Sequence, residues 1–274
     1  MNHDGQKLIR IAILDLNEGM PNQGMRCIHQ ILDEWEMNNE YKVTRQVFDV
    51  RLKNQLPDTS FDIYISSGGP GDPISTRYDD WDINWRNWVD EMLRWNENPS
   101  NKQKKYVFFI CHSFQLASRY FNAGILRQRR STAFGVFPVH MLEDAKDEPV
   151  FDGLRDPFYA VDSRDYQLVH PNSEELKKIG AKILCIEKER PHVPFERAVM
   201  GIRFNEYMIG TQFHPEADPI GMSHHLQSDE KRKTVIENYG EDKLNSMLFH
   251  LGDPDKIMWT YAHILPNFLN QAVA

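Results

Sequence analysis

Three residues have the types and placing that acyl transfer through a thiol requires: Cys111, His214 and Glu216. Cys111 follows the apolar run at residues 106–110 (YVFFI) and precedes Phe114, Leu116, Ala117, Tyr120 and Phe121, spaced as on one face of a helix that ends at Gly124. A residue at such a strand-to-helix turn is held out from the backbone, and the helix N-terminus favours thiolate and an adjacent oxyanion. A thiol nucleophile also needs a base. His214 closes residues 210–216 (GTQFHPE), and Glu216, two positions on, is placed to orient its ring. Taken singly, Cys111 reads first as a packed core thiol and His214 as a satisfied loop histidine; their combination carries the chemistry.

The elements that must position these groups are legible as alternating patterns. Residues 8–16 (LIRIAILDL) read as a strand buried on both faces, and residues 25–37 as a helix burying Met25, Ile28, Ile31, Leu32 and Trp35. Residues 41–50 and 61–67 read as further strands, the latter leading into a loop, Gly68, Gly69, Pro70, Gly71, Asp72, Pro73. Trp81, Trp85, Trp88, Met92 and Trp95 form a helical stripe explained by core packing. From Phe134 to Phe213 strands cluster, and after Asp218 three helices are expected, over 230–236, 243–248 and 257–268. Strands alternating with helices and then clustered strands predict an α/β domain with a mostly parallel sheet and an antiparallel extension. The expected division is 1–216 as the domain and 217–274 as a helical extension packed on it.

Composition narrows the function classes. In 274 residues, 41% are hydrophobic and 26% charged, enough for a substantial core, and no apolar run approaches the length of a membrane span. A net charge of −8 disfavours a general nucleic-acid surface, and the one basic cluster, Arg127, Arg129 and Arg130, is expected to be a solvated turn. Three scattered cysteines, Cys27, Cys111 and Cys185, suggest neither a disulfide framework nor a zinc knuckle, and a cytoplasmic setting is expected. His214 with Glu216, and the pair His224 and His225, lack a third ligand at a recognisable spacing, so no metal and no cofactor is expected. His112, His140 and His170 have no partner that the sequence identifies.

Together the segments SGGPGDP at 67–73, FICHSFQ at 109–115 and GTQFHPE at 210–216 resemble the class I, triad glutamine amidotransferases. The resemblance implies a flavodoxin-like three-layer sandwich with a glutaminase site. In it, Cys111 forms a γ-glutamyl thioester, His214 protonates departing ammonia and then activates water, and Glu216 holds His214. It further implies an oxyanion hole from the backbone N–H groups of Gly69 and His112, with Gly68, Gln115 and Ser163 at the substrate.

The departures from the pattern are specific. The family elbow carries small residues two before and two after the nucleophile, where this chain has Phe109 and Ser113. Phe114 and Arg164 stand where histidines are usual. An arginine at the substrate's amino-acid end could pair with a carboxylate, which points to a substrate larger or more acidic than glutamine, such as a γ-glutamyl peptide; the competing reading makes Arg164 a surface strand residue. Other readings are a γ-glutamyl peptidase or acyltransferase on the same scaffold, or a silent homologue that binds a metabolite or partner. No phosphate-binding loop of the G-x-x-x-x-G-K-[ST] type is present, so ammonia would go to a separate synthase subunit or simply be released. The expected partner is a small-molecule amide, with a homo-oligomer left open and neither nucleic acid nor membrane involved.

Overall fold

The computed structural model describes residues 6–20, 22–192, 194–227, 229–253 and 256–274. Strand β1 (Lys7–Asp15) is apolar on both faces because it lies inside the sheet, between β2 (Tyr41–Asp49) and β3 (Ile63–Ser66), parallel to both. Helix α1 (Gln23–Met37) connects β1 to β2; Asn22 caps it by accepting from Met25 N at 2.9 Å, and its inward stripe is Cys27, Ile28, Ile31, Leu32 and Trp35. A short α2 (Val50–Lys53) follows β2, and α3 (Asp80–Glu97) lies between β3 and β4 (Tyr106–Ile110). Period-two alternation divides β4 between two cores: Phe108 packs with α1 and the C-terminal helix, whereas Phe109 packs with Trp85 and Trp88 of α3. Trp95, expected in that stripe, is half-buried and donates to the Gln103 carbonyl instead.

Helix α4 (His112–Tyr120) begins immediately after Cys111. The chain then builds β5 (Ile125–Met141), β6 (Phe158–Val169), α5 (Ser173–Ile179), β7 (Lys182–Glu187), β8 (Val199–Asn205) and β9 (Met208–Thr211). The strand order is β2-β1-β3-β4-β9-β8-β6-β5-β7, and β7 also pairs with β8.

This corrects the expected fold class. Among the described residues four strand pairings are parallel and five antiparallel, so the sheet is not the mostly parallel one of a flavodoxin-like sandwich. Strands β5, β6, β8 and β7 pair in a ring and close into a four-stranded antiparallel barrel. The cause is the length of β5: its 17 residues pair with β6 and, at the far end, with β7, which brings β7 round onto β8. Arg127, Arg129 and Arg130 lie in β5 rather than in a solvated turn. Arg127 pairs with Glu196 at 2.5 Å and Arg129 with Glu187 at 3.3 Å, while Arg130 sits over the Phe195 ring.

Four helices follow β9: α6 (Pro219–Gln227), α7 (Asp229–Tyr239), α8 (Glu241–Leu251) and α9 (Ile257–Val273). Leu226, Val235, Leu244, Met247 and Leu251 cover Val136 and Val161 of the barrel. Helix α9 enters the main core: Phe268 meets Phe108 edge-on at 5.2 Å, and Trp35 Nε1 donates to Asn270 at 2.8 Å. No described helix is long and apolar enough to cross a membrane. The side chains of His224 and His225, on α6, lie outside the described ones.

Candidate active site

Cys111 joins β4 to α4 with φ 48° and ψ −98°, a left-handed backbone that is costly for a residue with a Cβ. It is held there because Cys111 N donates to Thr211 O of β9 at 2.8 Å and Gln115 N closes the first helical turn on Cys111 O at 3.0 Å. The large Phe109 is accommodated by its neighbour across the sheet. Phe109 faces Gly210 in register, and a Cβ at Gly210 would lie 2.9 Å from the Phe109 carbonyl and 3.1 Å from the Phe114 ring. Ser113 is small but also polar: its hydroxyl reaches the Ser67 carbonyl at 2.5 Å and shares a hydrogen bond of 2.8 Å with Ser66 Oγ, tying the elbow to the loop after β3.

His214 is placed by an isolated bridge to Val161 of β6, its N donating to Val161 O at 2.9 Å. Its Nδ1 is 2.8 Å from Glu216 Oε1, and the ring lies next to Cys111, the two bordering the same space at Gly68. Burial disfavours a charged ring, but the Glu216 carboxylate and the Cys111 sulfur outweigh it and hold His214 well above its ordinary value. Glu216 Oε2 is buried and has no hydrogen-bond partner among the described residues. A Cβ on Gly24, in the first turn of α1, would lie 3.0 Å from Glu216 Oε1, so a glycine makes room for the carboxylate. Cys111 Sγ lies 3.6 Å from the Ser163 carbonyl and 3.7 Å from Gln212 Nε2.

The glycine loop covers the pair. A Cβ at Gly68 would fall 2.9 Å from His214 Cε1 and 3.5 Å from Cys111 Cβ, and one at Gly69 would overlap the Leu16 carbonyl oxygen. Two arginines hold the loop by its carbonyls: Arg51 of α2 at Pro70 and Arg119 of α4 at Pro73. Arg51 is matched by Glu18 at 2.6 Å, and Arg119 by the fully buried Asp82 of α3 at 2.5 Å. These clamps went unread in the sequence because each joins residues far apart in the chain.

A cavity of about 520 Å³ opens over Cys111, and Gly68, Gly69, His112, Gln115, Ser163, Arg164, His214 and Glu216 all contribute to its lining. Their side chains play different parts. The His112 ring is buried, and burial together with Arg51 and Arg119 pushes it down to about 3, so it is neutral and brings no positive charge to the cavity. Gln115 Nε2 donates to Tyr166 O at 3.2 Å and to Gln212 Oε1 at 3.0 Å, which makes it a brace between α4, β6 and the segment after β9. Arg164 is turned away: its side chain has 0% exposure and pairs with Asp162 at 3.0 Å and Glu187 at 3.3 Å inside the barrel. It is neither a surface residue nor a free guanidinium facing the cavity. Residues outside the expected set complete the walls, among them Asn17, Met25, Thr132, Phe134, Asp165, Tyr166 and Met222. Among the described residues no group of three or more His, Cys, Asp or Glu is arranged for a metal.

An α/β core with a strained cysteine at a strand-to-helix elbow, next to a histidine that a carboxylate holds, defines a scaffold for thiol-based amide chemistry. The family model for glutamine amidotransferase class-I matches residues 25–232, and the chain belongs to that family. A comparison with curated protein sequences gives no significant match. Among solved structures, a glutamine amidotransferase from Thermotoga maritima superposes with a TM-score of 0.68 at 16% identity, covering 97% of this chain and 98% of the other. A glutamine amido transferase from Methylobacillus flagellatus gives 0.54 at 13%, covering 97% and 95%, and the glutaminase domain of Trypanosoma brucei CTPS with bound acivicin 0.54 at 13%, covering 93% and 94%. At these identities the likeness concerns the fold.

Proposed function

We propose that this chain is an amidohydrolase of glutamine or a γ-glutamyl compound, acting through a γ-glutamyl thioester on Cys111. The observation that carries the proposal is Cys111 on its strained elbow next to His214, whose Nδ1 is 2.8 Å from Glu216 Oε1, at the cavity and beneath a glycine loop fixed at both ends. Cys111 Sγ adds to the side-chain amide carbon, and the oxyanion meets the backbone N–H groups of Gly69 and His112. His214 gives its proton to the amine or ammonia as the C–N bond breaks, leaving the thioester. Water then enters, His214 takes its proton, and collapse of the second tetrahedral adduct frees the acid and the thiol. Glu216 keeps the imidazole oriented and its protonated form favoured throughout.

A specific feature favours an amine leaving group over ammonia alone. The lining of the cavity includes Met25, Phe134, Ala217 and Met222, apolar surface that an amine with a carbon chain can use and ammonia cannot. Release of a γ-glutamyl conjugate's amine is therefore the second reading. Delivery of ammonia to a separate synthase is the third. It is in keeping with a solved structure from Thermoplasma acidophilum described as part of a GMP synthase, similar at TM-score 0.51 and 16% identity over 76% of this chain and 85% of the other.

The test begins with alkylation. Iodoacetamide at neutral pH is expected to label Cys111 and not Cys27, which burial first and then the Asp218 carboxylate push up to about 12, nor Cys185, which burial pushes well above its ordinary value. His214→Ala should slow labelling of Cys111 at least about tenfold. Turnover of L-glutamine and a panel of γ-glutamyl amides then selects the substrate. An unreactive Cys111 would leave only the silent homologue.

A further inference from the structure

One wall of the cavity is β6. Val161, Ser163, Arg164, Asp165 and Tyr166 all border the cavity, but the Arg164 side chain is taken up by Asp162 inside the barrel. Val161 anchors the catalytic histidine and Ser163 O is 3.6 Å from Cys111 Sγ, so this strand serves as a ruler starting at the nucleophile. Two residues further along, about 6.7 Å at the rise of a strand, stands Asp165. Its Oδ1 accepts from Thr132 Oγ1 of β5 at 2.5 Å, which fixes the carboxylate, and among the described residues Oδ2 takes no hydrogen bond.

That spacing matches a substrate dimension. From the amide carbon of a γ-glutamyl group to its α-nitrogen there are four bonds, spanning about 5 Å when extended. With the amide carbon at Cys111, the α-ammonium therefore comes within hydrogen-bonding reach of a carboxylate standing where Asp165 does. The charge of the cavity agrees. The carboxylates lining it are Asp165 and Glu216; Glu216 is engaged with His214, and the Arg164 guanidinium is matched inside the barrel. We infer that Asp165 is the specificity-determining residue that receives the α-ammonium group of the substrate. The assignment rests on the amidohydrolase reading above. It reverses the expectation that Arg164 selects an acidic substrate: the charge read at this end of the site is positive.

The experiment compares kcat/KM for L-glutamine with that for glutaramate, the same amide acid without its α-amino group, in the full chain. The wild-type ratio is expected to favour glutamine about ten- to hundredfold, the range of a charge-assisted hydrogen bond. Asp165→Asn should bring the ratio to within about threefold of unity, chiefly by raising KM for glutamine, and Thr132→Val, which keeps the carboxylate but not its anchor, should lower it by less. An unchanged ratio in Asp165→Asn, or an equal loss on both amides, overturns the assignment and leaves the amidohydrolase reading standing. A wild-type chain that hydrolyses neither amide, nor any γ-glutamyl compound, while Cys111 still alkylates overturns that reading, and this assignment with it.

Discussion

Phe109→Gly restores the small residue usual two positions before the nucleophile, and on family pattern alone it should be harmless or beneficial. The structure demands the opposite. Phe109 is fully buried, with its ring 5.6 Å from Trp85 and 6.0 Å from Phe204. Truncating a buried phenylalanine to alanine costs about 3–5 kcal/mol, and glycine inside a strand adds about 0.5–1 kcal/mol. The hole cannot close by moving Trp85 inward, because Trp85 Nε1 is tied to Ser66 Oγ at 3.3 Å and Ser66 in turn to Ser113. At about 2–4 °C per kcal/mol for a chain of this size, the melting temperature should fall by roughly 10–20 °C. Calorimetry and urea titration measure this, the urea midpoint falling with little change in slope. The ring points away from the cavity, so Cys111 in the folded variant should still alkylate. A fall below about 3 °C would refute the packing argument.

Gly69→Ala places a methyl group against the Leu16 carbonyl oxygen, so the loop must withdraw from Cys111. Turnover should fall by about 10²–10³ while iodoacetamide still labels Cys111, since alkylation forms no oxyanion; near-normal turnover would remove Gly69 from the oxyanion hole. Glu216→Gln tests the charge on His214 through stability. Folding raises His214, so this contribution is fully present below the unfolded value of about 6.5 and is lost as pH rises through the higher folded value. The urea midpoints of wild type and Glu216→Gln should therefore differ most below about pH 6.5 and converge as pH rises above it; a gap independent of pH would show that Glu216 does not hold the proton on His214.

Much of the site was legible because its groups lie in short segments whose local geometry is self-contained. The GTQFHPE segment is a strand end turning into a loop, and the SGGPGDP segment must be a tight loop whatever surrounds it. The sheet was read less well. Residues 125–141 carry charges at positions that look solvated until Glu187, at the end of β7, and Glu196, in the connection from β7 to β8, supply the counter-charges. Closure of the ring depends on pairing partners, which no local pattern announces. Arg164 shows the same limit: one position along a strand decides between cavity and barrel, and only the register fixes which. Phe109 looked like an obstacle because its compensating vacancy, Gly210, lies a hundred residues away in the chain.

Helix α9 ties the last residues of the chain to the strand that carries the nucleophile. It supplies Tyr261, Ile264, Leu265, Phe268 and Leu269 to the core that also holds β1 and β4, and its hydrogen bond to Trp35 spans 235 positions of sequence. Contacts this remote form slowly, since the intervening chain must first be gathered. Until they form, Phe108, three residues before the nucleophile, presents an uncovered apolar face. A chain cut after Glu216 would keep every triad residue yet leave that face open to self-association.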